Sequence, residues 1–160
     1  MNLLDAAAIL LLAGYGTVEP FDAGELDEAA FWLVQACESD TALPPTGGEC
    51  LAVTASLWAV ESARAFLPYP TGRWRGSGEG PMQLARPTDC WHSSASGRWC
   101  WPHHEVLGGA ASFVAAVALL RLKWGRFSTT RSRLASWNGG ATPGYDTHAL
   151  GIYRAIEAER

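Results

Sequence analysis

The apolar positions of this chain fall mostly at helical spacing. Asp22, followed three residues on by Glu25, resembles a helix N-cap with its reciprocal partner, and Leu26, Ala29, Ala30, Leu33 and Val34 then recur on one face. This predicts a helix from Ala23 to Glu38. Ala42 to Glu49 holds two prolines and two glycines and reads as a loop. A helical pattern resumes from Cys50 to Phe66 and is expected to stop at Pro68 and Pro70, where the ring removes a donor and clashes with the preceding turn. Glu105 to Trp124 is apolar almost all round, as expected of a central buried helix. Ser128 or Thr129 can cap a short helix through Ala135, which Gly139 and Gly140 would end. Thr147 to Ala158 supplies a last helix with Leu150, Tyr153 and Ile156 along one face. No alternating strand pattern exceeds a few residues, so the fold class is mainly α.

Two stretches depart from this rhythm. Ala6 to Ala13 is apolar enough for a secretory core, but no Lys or Arg precedes it and Asp5 interrupts its approach, so a folded helix is expected rather than a signal peptide. Thr71 to His104 is dense in Gly, Pro, Ser and Trp, and a long irregular segment inside a compact domain commonly carries function. The longest apolar run, Val106 to Leu120, contains two glycines and falls short of the roughly 20 residues a bilayer demands. No transmembrane segment is expected.

With 160 residues, 48% of them apolar, the chain can bury one sizeable core, and a single domain is the expectation. Lys and Arg number 12 against 16 Asp and Glu, so no global positive field exists to hold a polyanion, and nucleic acid is not an expected partner. Cys37 and Cys50, and Cys90 and Cys100, form two local pairs. Disulfides 37–50 and 90–100 are expected in an oxidising compartment, although spacing alone does not fix the connectivity. Competing readings are buried free thiols and a zinc site from Cys90, His92, Cys100 and either His103 or His104, whose spacing matches no familiar finger.

The chemistry begins with Trp58-Ala59-Val60-Glu61-Ser62-Ala63. One carboxylate stands in a strongly apolar helix, where burial penalises the ionised form and raises its pKa, as a general acid working near neutrality requires. The competing reading is an ordinary ion pair with Arg64. Downstream, Gly78-Glu79-Gly80-Pro81-Met82-Gln83-Leu84 closes a Gly-rich loop, where backbone can approach a ligand and Gln83 offers a donor and an acceptor to sugar hydroxyl or acetamido groups. Ala135-Ser136-Trp137-Asn138-Gly139-Gly140 sets an aromatic face and an amide at a helix end, one suited to a sugar's apolar face and the other to its polar edge. Core packing competes as the explanation of Met82 and Tyr153, and a helix C-cap competes for Asn138. Trp58 and Trp124, in apolar helices, read as core. His92, His103, His104 and His148 have no telling partner by spacing and receive no catalytic role.

The order Glu61-Ser62, Gly80-Pro81-Met82-Gln83, Ser136-Trp137-Asn138-Gly139-Gly140 and Tyr153 resembles the lytic transglycosylase family of the lysozyme-like superfamily. That family reads Glu-Ser, Gly-Leu-Met-Gln, Ala-Tyr-Asn-Ala-Gly and a late Tyr. The stretch from His104 to Trp124 is similar to its Asn-Ile, Gly and long-helix stretch, with Gly109 at the glycine. The resemblance covers Leu51 to Ala158, about two-thirds of the chain. Pro81, Trp137 and Gly139 depart from the usual Leu, Tyr and Ala, and Glu79 adds a carboxylate beside the loop. The segment from Cys90 to Cys100, with Trp91, Trp99 and nearby Trp101, has no counterpart.

The resemblance implies a lysozyme-like helical domain with a cleft, residues 51–160 forming the catalytic core and 1–50 a helical extension. It implies action on peptidoglycan glycan strands in the periplasm, the cell wall or a virion, with no metal or cofactor. Glu61 would protonate the glycosidic oxygen between N-acetylmuramic acid and N-acetylglucosamine, then take a proton from the muramyl C6 hydroxyl as it attacks C1, leaving a 1,6-anhydro sugar. Ser62, Met82, Gln83, Trp137, Asn138 and Tyr153 would line the site. A muramidase, by contrast, would pair Glu61 with a second carboxylate about 5–5.5 Å or 6.5–9.5 Å away, for which Glu79 and Asp89 are the candidates. A further class is a non-catalytic glycan-binding or structural protein of a phage particle or secretion apparatus.

Overall fold

A computed structural model describes residues 1–39, 42–62, 64, 66, 78–79, 81–85, 91–93, 97–99, 109–138 and 142–160; for 78–79, 85, 91–93, 97–99 and 138 the description is of the backbone. Six helices lie among the described residues: α1 (Leu3–Leu12), α2 (Ala23–Glu38), α3 (Gly47–Glu61), α4 (Ser112–Trp124), α5 (Thr130–Asn138) and α6 (Tyr145–Glu159). Four very short strands pair antiparallel. β1 (Gly78–Glu79) lies against β2 (Leu84–Ala85), with Glu79 opposite Leu84, and β3 (Trp91–Ser93) against β4 (Gly97–Trp99), with Trp91 opposite Trp99. The protein is mainly helical.

The centre is α3. Every residue from Cys50 to Ala59 is buried, whereas α4 leaves Val114, Leu119 and Leu122 partly accessible, so the all-round apolar helix at the core is not the one its pattern favoured. Around α3 pack α1, α2, α4, α5 and α6, and a single hydrophobic cluster runs from Ala6 and Leu10 through Leu33, Leu57, Phe113 and Leu134 to Ile156. Helices α3 and α6 are antiparallel: Glu61 meets Tyr145 at one end, and Arg160 lies over Gly48 at the other. No helix among the described residues is long and apolar enough to cross a membrane.

Helix boundaries follow local chemistry. Helix α2 spans the expected residues, and the Asp22 carboxylate accepts the Glu25 N–H at 3.1 Å. The reciprocal half of this cap comes from Tyr15 rather than from Glu25. The phenol oxygen accepts the Asp22 N–H at 3.3 Å and lies 3.0 Å from Glu25 Oε1, which engages the carboxylate expected to turn back onto the cap.

Helix α3 begins at Gly47 rather than Cys50 and ends at Glu61, well before the prolines. Ser62 leaves the helix at φ −111°, its hydroxyl donates to the Trp58 carbonyl at 2.8 Å, and Arg64 stands at φ +71°, which no helix accommodates. Phe66 therefore lies outside the helix and stacks on Trp58 at 4.7 Å. Helix α4 starts at Ser112 because Gly109 takes φ +55°; residues 105–108 lie outside the described residues. Thr129 caps α5 as expected, its Oγ1 accepting the Ser132 N–H at 3.1 Å, and α5 runs past Ala135 to Asn138.

Cys37 and Cys50 form the expected disulfide, tying the end of α2 to the start of α3. The pairing of Cys90 with Cys100, and the alternative zinc ligands Cys90, Cys100, His103 and His104, lie outside the described residues. Beside the disulfide, Arg121 of α4 reaches under the end of α2. Its guanidinium donates to the Cys37 carbonyl at 2.8 Å, to that of Pro45 at 3.4 Å, and to those of Ala36 and Ser39. A cation thus serves helix-end acceptors that α2 itself cannot satisfy.

Candidate active site

Glu61 is the last residue of α3, and its carboxylate receives the Tyr145 hydroxyl at 2.6 Å. The ion pair with Arg64 does not form. Arg64 instead donates its Nε–H to the Ala13 carbonyl at 3.2 Å, on the side of α1. Burial pushes the Glu61 carboxyl above its ordinary range, and the hydrogen bond from Tyr145 opposes that shift by favouring the anion. Carbonyls at the end of α3 add a further unfavourable field for negative charge. The Tyr145 phenol is pushed far up by burial, then by the neighbouring carboxylate, so it stays protonated and keeps a proton to donate to the Glu61 carboxylate.

Tyr145 owes its place to the turn before α6. Gly144 adopts φ +77°, a left-handed conformation open to glycine, and this makes Tyr145 the first residue of the helix, buried against α3. Arg131 of α5 fixes the same junction from outside, bonding Asp146 at 2.6 Å and Thr147 at 3.0 Å, and its guanidinium holds the Asp146 carboxyl below its usual range.

A second link joins α5 to the loop after β1. Trp137 donates its indole N–H to the Met82 carbonyl at 3.3 Å, and the Met82 side chain is wholly buried in the core. Met82 is thus a core residue, as its competing reading had it. Lys123 of α4 donates to the Ser136 carbonyl at 3.2 Å and stands 5.9 Å from the Trp137 ring centre; burial lowers its pKa. Gln83 holds φ +46°, a conformation costly for a side-chain-bearing residue and frequent where a site imposes its own geometry.

The remaining expected residues separate into three groups. Ser62 is buried and its hydroxyl is spent on the Trp58 carbonyl, so it finishes the helix rather than facing outward. Tyr153 lies along α6 about 12 Å from Tyr145 at 1.5 Å per residue, on the side of the Glu49 end of α3; burial, then Glu157 and Glu49, raise its pKa. The structure does not bring it to Glu61. For Glu79 and Asn138 only the backbone is described, in β1 and at the end of α5, and Asp89 lies outside the described residues.

The tyrosine partner of Glu61 was missed in the sequence because the last helix was expected to start at Thr147. The signal was present as Pro143-Gly144, a turn pair that delivers the next residue into a helix. In comparisons with family models, with curated proteins and with solved structures, nothing matches this chain.

Proposed function

We propose that this protein is a peptidoglycan lytic transglycosylase of lysozyme-like architecture, with Glu61 as its acid and base. The observation that carries the reading is the Glu61–Tyr145 pair: a carboxyl raised by burial at a helix end, held by a donor that cannot itself take its proton. Such a carboxyl delivers a proton to the departing glycosidic oxygen. The Tyr145 hydroxyl then steadies the resulting carboxylate, which accepts the proton of the muramyl C6 hydroxyl as that oxygen closes on C1. One carboxylate suffices, because the substrate acetamido group can stabilise positive charge at C1. The order of Glu61, Met82-Gln83 and Trp137-Asn138 along the chain supports the same reading, and its site of action would be the periplasm, the cell wall or a virion.

Purified sacculi provide the test. The wild-type protein should release soluble muropeptides, and Glu61→Gln should release them at least about a hundred-fold more slowly. A wild-type protein that sediments with sacculi yet releases nothing is a glycan-binding protein, and the enzymatic reading then fails.

A further inference from the structure

A cavity of about 650 Å³ opens between the end of α1 and the outer face of α6, lined by Leu12, Gly14, Arg64, His148, Gly151 and Ile152 among others. Neither Glu61 nor Trp137 lines it. Three features set it apart from an incidental hollow. Arg64 is held there in a left-handed backbone conformation, φ +71°, that a side-chain-bearing residue adopts at a cost usually met where function demands it. Its side chain lies directly over Gly14, where a Cβ would collide with Arg64 Cδ and Nε, so glycine at 14 makes room for the guanidinium. Its Nε–H is bound by the Ala13 carbonyl at 3.2 Å, and the two terminal nitrogens of the fork have no protein partner among the described residues.

Among the described residues no Asp or Glu lines this cavity. The carboxylates nearest in sequence are already engaged, Glu61 by Tyr145 and Asp146 by Arg131. An anchored guanidinium with a free planar fork, beside an imidazole and an aliphatic wall from Leu12, Ile152 and Ala155, matches an anion that bears a short apolar group.

We propose that this cavity is a binding site, separate from the Glu61 site, for a carboxylate carrying a short aliphatic group, with Arg64 as the bidentate partner of the carboxylate and His148 as a second donor. Either the C-terminus of a peptide ending in a small apolar residue or a short aliphatic acid presents this chemistry. The proposal does not rest on the peptidoglycan reading.

Titration of the full chain followed by amide NMR tests it, with N-acetyl-alanyl-alanine and butyrate as the two probes and N-acetyl-alanyl-alanine amide as the uncharged control. One or both acids should shift the Gly14, His148 and Gly151 resonances, and the amide should not. Arg64→Gln should weaken binding on the order of ten-fold or more, since it loses a charged bidentate pair. Gly151→Leu offers an independent check, because a Cβ at Gly151 meets nothing within 4 Å and a larger side chain there would occupy part of the cavity that Gly151 lines. It too should weaken binding, whereas Glu61→Gln should leave the affinity unchanged. A peptide response without butyrate identifies a peptide terminus as the ligand, and the reverse an aliphatic acid. Absence of a response to both acids, an equal response to the amide, or an affinity that Arg64→Gln leaves unchanged overturns the proposal.

Discussion

Tyr145 donates its hydroxyl to Glu61 across the antiparallel contact of α6 and α3, at 2.6 Å, and each residue stands at the terminus of its helix. Burial of the pair opposes ionisation of the carboxyl, and the hydrogen bond resists that effect without removing it. The pair makes a carboxyl that holds its proton more tightly than an exposed one and still tolerates losing it.

Removing the donor should show this directly. In Tyr145→Phe the Glu61 carboxylate loses its stabilising bond, so its pKa rises further. The alkaline limb of the pH profile of kcat/KM, set by deprotonation of the acid, should move to higher pH. Turnover near neutrality should fall roughly ten- to hundred-fold as the carboxyl loses its fixed orientation. A profile measured on soluble glycan strands checks both effects.

Stability should carry the mark of the same carboxyl. Because the native pKa of Glu61 is raised, its favourable contribution is fully present below the ordinary carboxylate range and is lost as pH rises through the native value. Glu61→Gln, which keeps the shape and an acceptor for Tyr145, should be more stable than the wild type at neutral pH. The difference should vanish in acid. Urea unfolding at two pH values measures it.

The junction of α2, α3 and α4 should be the fold's most sensitive point away from the site. Replacing Cys37 and Cys50 by Ser frees a short loop and should cost about 3 kcal/mol by the entropy of the unfolded chain. Equilibrium unfolding of the double variant reads this change.

Arg121→Met should be similarly damaging for a different reason. It fills the space but leaves the buried carbonyls of Cys37 and Pro45 without their donor, at about 1–3 kcal/mol for each acceptor left unsatisfied. Thermal melting compared with Arg131→Met, whose exposed partner Asp146 can turn to water, separates a buried clamp from a surface pair.

Much of this was legible in the chain. Helix α2 could be placed by its cap and its periodicity, Cys37 and Cys50 by their proximity, and the start of α5 by its Thr129 cap, although α5 runs three residues past the expected Ala135. On its own segment, Trp58-Ala59-Val60-Glu61, the carboxylate read as readily as an ion pair with Arg64, and the motifs downstream singled it out. What local pattern could not supply were partners distant in sequence. Arg64 looked like the natural counter-ion three residues away, but its positive φ turns it toward Ala13. Tyr145 on Glu61 and Arg121 beneath α2 each bond across a fold that periodicity does not encode. Tyr153 shared the helix and the residue type but sat two turns too far along it.

The most direct measurement is mass spectrometry of the products released from purified peptidoglycan, with Glu61→Gln run in parallel. Transglycosylation by Glu61 predicts fragments ending in 1,6-anhydromuramyl residues from the wild type and almost none from the variant. Reducing muramyl ends would make the protein a hydrolase, and full activity in Glu61→Gln would contradict the central claim.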